Sequence, residues 1–208
     1  MESERRYHHK DLRQSLLHHA MRLIQDEGMR GFTMRKLAAR AGVSHTAPYR
    51  HFPSKEALLA TLLLEGHVRL RAALLEALAA CPGSAREQLL AMGRAYLVFA
   101  REQADYLSLM FSAAGMAAAQ AVASKSPEFH GEAGDSFGPL EATVRACQAE
   151  GVFDPGLDPA ALSFAVWSQV HGLALLRNEG MIAAMAAQRG REEDETLGAV
   201  FAVLESWY

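Results

Sequence analysis

The residues from Thr33 to Lys55, TMRKLAARAGVSHTAPYRHFPSK, join a sharp turn to a run of side chains able to address a nucleic acid. The turn is Ala41-Gly42-Val43, where Gly42 can take the positive φ of a tight reversal at little steric cost. Before it, Thr33 caps a short helix that turns Leu37 and Ala38 inward; after it, Ser44 caps a second. Two helices joined by a short turn containing glycine form a helix-turn-helix, whose second helix enters the major groove of DNA. His45, Thr46 and Ala47 fall in the first turn of that helix. His45 and Thr46 can hydrogen-bond base edges, and Ala47 can touch a thymine methyl. Arg35 and Arg50 can serve base or phosphate. Phe52 reads as core. Tyr49 reads either as core or as a packed ring with its hydroxyl at a phosphate. Pro48 lacks an N–H, so it should disturb hydrogen bonding early in the helix and tighten its first turn.

Other constellations carry less. His8, His9, His18 and His19 are close in sequence, but adjacent residues on a helix point apart and no Cys or carboxylate completes a metal set. That stretch reads as solvated and facing phosphate. Cys81 and Cys147 are isolated thiols, which argues against a disulfide framework and fits a reducing cytoplasm. No Ser/His/Asp arrangement, glycine-rich phosphate loop or usable metal spacing is present, so neither an enzyme nor a cofactor is expected.

These residues sit in a basic head on an acidic body. Residues 1–60 hold eleven Lys/Arg against six Asp/Glu, a balance of +5, and the rest hold ten against eighteen, a balance of −8. The head attracts phosphate and the body is repelled from it, which helps to orient the molecule on DNA. No apolar run follows Met1-Glu2-Ser3-Glu4-Arg5-Arg6, and Gly, Gln, Arg or His interrupts every candidate membrane span. A cytoplasmic protein without membrane contact is expected.

The elements that must position these groups all read as helices. Leu12, Leu16, Ala20, Leu23 and Ile24 predict a helix over 10–27 ended by Gly28. After the turn motif, Ser54 caps a long helix reaching about Cys81, and Ser84-Ala85-Arg86-Glu87 is a capping box for a helix to about Gln103. Shorter helices follow over 105–112 and 114–124, then a loop from Ser124 to Pro139, then a helix from Phe137 to Glu150. Asp158-Pro159 starts another, to about Asn178, and the last begins near Glu192. The chain is therefore all-α, with a DNA-binding head over 1–55 (motif about 33–52) and a ligand-binding and dimerisation body over 56–208.

Within the body, Met92, Tyr96 and Phe99 form one helical stripe, Met110, Phe111 and Met116 lie further along, and Phe164, Trp167 and His171 form another. Such stripes are either plain core or the lining of a pocket for a moderately apolar ligand. His171 reads as a hydrogen-bonded structural residue or as a ligand contact. Leu162, Val166, Val170 and Leu173, with Leu197, Val200, Phe201 and Leu204, give two apolar faces for a four-helix contact across a two-fold axis.

Residues 10–65 resemble the DNA-binding domain of the TetR family of bacterial transcriptional regulators. The likeness runs through Ala20, Gly28, Phe32-Thr33-Met34, Leu37-Ala38, Ala41-Gly42-Val43-Ser44, Tyr49, Phe52 and Lys55-Glu56. Trp167, His171 and Gly172 resemble the Trp–His–Gly signature of one ligand-domain subgroup, and Tyr106 to Phe111 is similar to its central segment. The resemblance implies that Thr33, Tyr49, His51 and Lys55 contact the phosphate backbone, and Pro48 departs from the family's commoner aliphatic residue. It further implies a homodimeric repressor on a pseudo-palindromic operator in double-stranded DNA, released by a small hydrophobic effector. The alternatives are a ligand-independent DNA-binding adaptor and an enzyme with a DNA-targeting head.

Overall fold

A computed structural model describes residues 2–123 and 135–207, and every regular element among them is helical. The side chains of residues 2–11, 122, 123, 204, 205 and 207 lie outside the described residues, and with them His8, His9 and Leu204. So does most of the expected loop from Ser124 to Pro139. In chain order the helices are α1 (Glu2–Gly31), α2 (Met34–Arg40), a 3-10 turn (Pro48–Arg50), α3 (Lys55–Ala80), α4 (Ala85–Glu102) and α5 (Ala104–Met110). They continue as α6 (Ala113–Ala123), α7 (Gly138–Ala149), α8 (Pro159–Asn178), α9 (Met181–Gln188) and α10 (Glu193–Trp207).

Local caps place the boundaries. Ser54 Oγ accepts from the Ala57 N–H at 3.1 Å to open α3. At α4, Ser84 Oγ accepts from the Glu87 N–H at 3.3 Å while the Ser84 N–H donates to the Glu87 carboxylate at 2.8 Å. These bonds hold the Glu87 carboxyl below its usual range. The Asp158 carboxylate accepts from the Ala161 N–H at 2.8 Å with Pro159 in the first turn of α8. Gly28, with φ 69° and ψ 172°, breaks the dihedrals of α1 where the sequence ends its first helix, and a further turn runs on to Gly31. The sequence leaves 179–191 unassigned, yet α9 forms there. It has no side-chain cap, and its Ala/Met run lacks the polar punctuation that marks the other helices.

Contacts divide the chain into two compact units, residues 2–67 with 105–123 and residues 68–104 with 135–207. This division runs through α3 rather than at 55/56, because the first half of α3 buries Leu58, Leu59, Leu62 and Leu63 within the first unit. That unit also buries Leu16, Ala20 and Leu23 of α1, Leu37 and Ala38 of α2, and Phe52. There α2 packs on α1, and the 3-10 turn packs on α2. Gly66 permits a close approach of α3 and α5: a Cβ there would lie 2.7 Å from Met110 Sδ.

In the second unit, α4 packs on α7 and α8, which meet each other, and α9 contacts both α8 and α10. Asn178 Nδ2 donates to the Ala100 carbonyl at 2.9 Å, tying the end of α8 to α4. Arg177, its side chain 11% exposed, reaches the Glu193 and Asp194 carboxylates at 2.6 and 2.9 Å and ties α8 to the start of α10. Contrary to the interrupted-span expectation, α8 is long and apolar enough to cross a bilayer, with a mean hydropathy of 1.2 over 18 residues. Its packing on α4 and α7 makes it a helix of this unit, but only 22% of that window is buried. Much apolar surface on α8 is left outside.

Candidate functional site

The turn motif is held by ordinary cap chemistry. Thr33 Oγ1 accepts from the Lys36 N–H at 3.2 Å and opens α2. At the other end Val43 N–H donates to the Ala38 carbonyl at 3.0 Å and Gly42 N–H to Ala39 at 3.2 Å, with Gly42 at φ 67°. This pair of bonds satisfies the last carbonyls of α2 and needs a left-handed residue at Gly42. The second arm differs from the expected helix. Ser44 does not open a regular α-helix; its hydroxyl lies 3.3 Å from Thr46 Oγ1, and the chain proceeds through turns into the 3-10 segment Pro48–Arg50. Pro48 has no N–H to give to the carbonyl four residues back, so the tightening reaches through the whole arm.

Around this arm Ser44, His45, Thr46, Tyr49 and Arg50 are exposed, as are Thr33 and Arg35 on α2. Ala47 and His51 are half-buried, while Pro48 and Phe52 are buried. Tyr49, 53% exposed, stands outside the core. Two of the motif's cations are neutralised within the unit, Lys36 by Glu27 and Arg40 by Asp26. Among the described residues neither Arg35 nor Arg50 has a carboxylate partner, which leaves both available to an external anion.

Lys55 is placed differently from a phosphate contact. Its Nζ donates to the Phe32 carbonyl at 2.9 Å and to Met29 at 3.4 Å, and lies 5.3 Å from the centre of the Phe32 ring. These carbonyls end α1 without helical partners, and a lysine ammonium satisfies them. Two of its three donors are thus directed at backbone. Arg13, which the sequence did not single out, sets its guanidinium 5.1 Å from the Phe52 ring centre, behind the 3-10 turn.

In the second unit the structure joins Tyr96 of α4 to Trp167 and His171 of α8. Tyr96 Oη meets His171 Nδ1 at 2.7 Å, and the Trp167 ring stacks on His171 with centroids 4.7 Å apart and planes 19° apart. Phe137 and Phe164 flank Trp167 at 6.5 and 5.4 Å. Burial pushes the Tyr96 hydroxyl up to about 12, partly offset by a hydrogen bond with Trp167, and burial also lowers the His171 imidazole. Both groups are therefore neutral at pH 7, and the hydrogen bond joins a neutral phenol to a neutral imidazole. Met92 and Phe99 are buried in the same unit, with the Thr143 hydroxyl 3.3 Å from the Met92 sulfur. Phe164 is 61% exposed and stands on the unit's surface rather than inside it. Met110, Phe111 and Met116 belong to the first unit, where Met110 is buried and the other two are exposed. A separate open cleft of about 360 Å³ is floored by Leu97, Leu197 and Phe201 and edged by Arg94, Arg177 and Asp194.

Residues 16–62 match the family profile described as bacterial regulatory proteins, tetR family, and residues 89–204 match one described as Tetracyclin repressor-like, C-terminal domain. The chain belongs to the TetR family. It is 46% identical over 50 residues to the Tetracycline repressor protein class C of Escherichia coli, a match covering 24% of this chain and 23% of that protein. A solved structure from Rhodococcus sp. RHA1, described as a protein with unknown function, aligns over 94% of both chains at 30% identity with a TM-score of 0.69. A TetR family transcription regulator from Marinobacter aquaeolei VT8 shares the fold, with a TM-score of 0.63 and 18% identity over 84% of this chain and 87% of that one.

As a TetR-family regulator, the chain carries its helix-turn-helix in the first unit, with Thr33, Arg35, Ser44, His45, Thr46, Tyr49 and Arg50 exposed and Ala47, His51 and Lys55 half-buried. The faces expected to make the dimer lie otherwise. Val166, Leu173, Leu197 and Phe201 are buried within the protomer, and Leu162, Val170 and Val200 are half-buried. Phe201 and Val170 both reach α4 at Gly93, where a Cβ would make ordinary van der Waals contact with them, 3.4 Å from the Phe201 ring and 3.7 Å from Val170. The exposed apolar residues on the same helices are Phe164, Leu175, Leu176 and Val203. Helical spacing finds that such helices have two faces but does not say which one the protomer consumes. Phe137 was missed because it comes from a distant stretch whose approach to Trp167 no sequence period reveals.

Proposed function

We propose that this TetR-family chain is a homodimeric repressor working in the bacterial cytoplasm, a regulator and not an enzyme. Its two heads bind half-sites of a pseudo-palindromic operator and release it when a small hydrophobic effector enters the body. The observation that carries the DNA part is the exposed set Ser44, His45, Thr46, Tyr49 and Arg50, presented on a capped turn in a basic head. His45 and Thr46 read base edges; Thr33, Tyr49, Arg35 and Arg50 hold phosphates. Dimerisation is supported by Phe164, Leu175, Leu176 and Val203, large apolar side chains left in water on α8 and α10. The effector reading is supported by the neutral Tyr96–His171 pair with Trp167 stacked on His171, a few polar atoms beside aromatic rings. An uncharged, flat ligand suits it. Such a ligand acts only by favouring one arrangement of the dimer over the other.

Selection of bound fragments from the source genome, followed by anisotropy across salt concentrations, tests this. The expected result is an enriched pseudo-palindrome. A Tyr49→Ala/Arg50→Ala double variant should weaken binding to all sequences and flatten the log–log salt slope by about one, for the lost Arg50 charge. Phe164→Glu should shift the protein from dimer to monomer in sedimentation. Recovery of no motif, or a monomer for the unmodified chain, overturns the proposal. A dimer that binds its operator but responds to no compound leaves the ligand-independent adaptor in its place.

A further inference from the structure

We propose that Pro48 is a specificity-determining residue: it imposes a threefold turn on the DNA-reading arm and so sets the register in which Thr46 and Tyr49 meet the operator. The inference rests on the DNA-binding reading above and adds to it a residue that never touches DNA. In an α-helix capped by Ser44, the Ser44 carbonyl would accept from the N–H of residue 48, and proline has none. The structure shows the consequence. The Ser44 carbonyl takes the Ala47 N–H at 2.9 Å, and the Ala47 carbonyl takes the Arg50 N–H at 3.2 Å. The Pro48 carbonyl is shared by the N–H groups of His51 at 3.0 Å and Phe52 at 2.9 Å. Three successive bonds therefore close over three residues, and only the last, to Phe52, closes over four.

This spacing fixes where side chains point. Residues three apart eclipse in a 3-10 turn, whereas in an α-helix they are offset by about 60°. Thr46 and Tyr49 are both exposed and three apart, as are the half-buried Ala47 and the exposed Arg50. Tyrosine is long, so an offset of about 60° swings its hydroxyl by several ångströms, more than the rise of about 3.4 Å along the axis between successive phosphates on a strand. Pro48 is itself fully buried, and the 3-10 turn packs on α2, so its ring is held in place. Proline thus fills a buried apolar position while it alters the backbone pattern.

The test is selection from a randomised DNA library with the full chain carrying Pro48→Ala or Pro48→Leu, each of which restores the N–H. Leucine keeps the site filled if alanine leaves a destabilising cavity. Both variants should enrich a motif that differs from the unmodified protein's at one or two positions in each half-site. The preference for the original operator over the newly selected one should fall about tenfold. Affinity for non-specific DNA and the salt slope should stay as they were. A folded variant that enriches the original motif overturns the proposal. So does a parallel loss of affinity for every sequence in both variants, which would make Pro48 a packing residue alone. An unmodified protein that enriches nothing overturns the DNA-binding reading instead.

Discussion

In the first unit the polar side chains that matter stand on the surface, where His45, Thr46, Tyr49 and Arg50 are exposed; in the second, Tyr96 and His171 meet 2.7 Å apart with burial acting on both. On the proposed function, the contrast follows from the partner each would meet. A polyanion arrives from solvent and is recognised by donors already solvated, at small desolvation cost. A small hydrophobic ligand has to be enclosed, and the few polar groups enclosed with it must already be paired or pay for desolvation. Within the first unit the cations divide as well. Lys36 and Arg40 are tied to acids on α1, while Arg35 and Arg50 are left without a carboxylate partner among the described residues.

The comparison breaks hardest at the cores. Phe52 is 2% exposed beneath the DNA-reading arm, and Phe52→Ala should cost about 3–5 kcal/mol and abolish operator binding. Denaturant melts paired with anisotropy check this, and a variant of unchanged stability with unchanged DNA affinity would refute it. In the body, Tyr96→Phe removes the hydrogen bond to His171 Nδ1 and should cost about 1–3 kcal/mol. Operator affinity of the unliganded protein should remain at its original value. Equal losses in stability and in operator binding would show that the two units do not divide their work as described.

The smallest effect is on pH. Burial holds the imidazoles of His67 and His171 below the ordinary histidine value of 6.5. As pH falls through that value, the unfolded chain takes up protons before the folded one does. Stability therefore declines from there until the folded-state pKa values are passed, and is fully present above the unfolded value. Melting at pH 7.5 and 5.5 should show a drop that shrinks in a His67→Gln/His171→Gln variant. An equal drop in both proteins would remove these imidazoles from the account.

Much of the fold was legible in the sequence because its signals are local. Ser54, Ser84-Glu87 and Asp158-Pro159 each satisfy backbone groups within one turn, so residue type and spacing are enough to place them. Gly42 and the cap at Thr33 belong with them, and so does the disturbance at Pro48, since a missing N–H is a property of one residue. That the disturbance would replace the helix by turns and a 3-10 segment needed the full hydrogen-bond pattern.

What only the tertiary structure decided is where side chains with two plausible destinations go. Lys55 could hold a phosphate or close the end of α1, and the nearness of the Phe32 and Met29 carbonyls directs it to the second. Phe201 and Val170 could face a partner or the protomer, and both pack against α4 at Gly93. Tyr96 and His171 are separated by 75 positions, and no periodicity announces their hydrogen bond. A helix period states which residues share a face, but which face is buried depends on neighbours that arrive from elsewhere in the chain. The sequence by itself therefore determined most of the helices, the caps at Thr33, Ser54, Ser84 and Asp158 and the turn at Gly42, all set by interactions within a few residues, but not α9 or the 3-10 arm. The aromatic cluster and the apolar surface left on α8 and α10 were decided only when distant helices met.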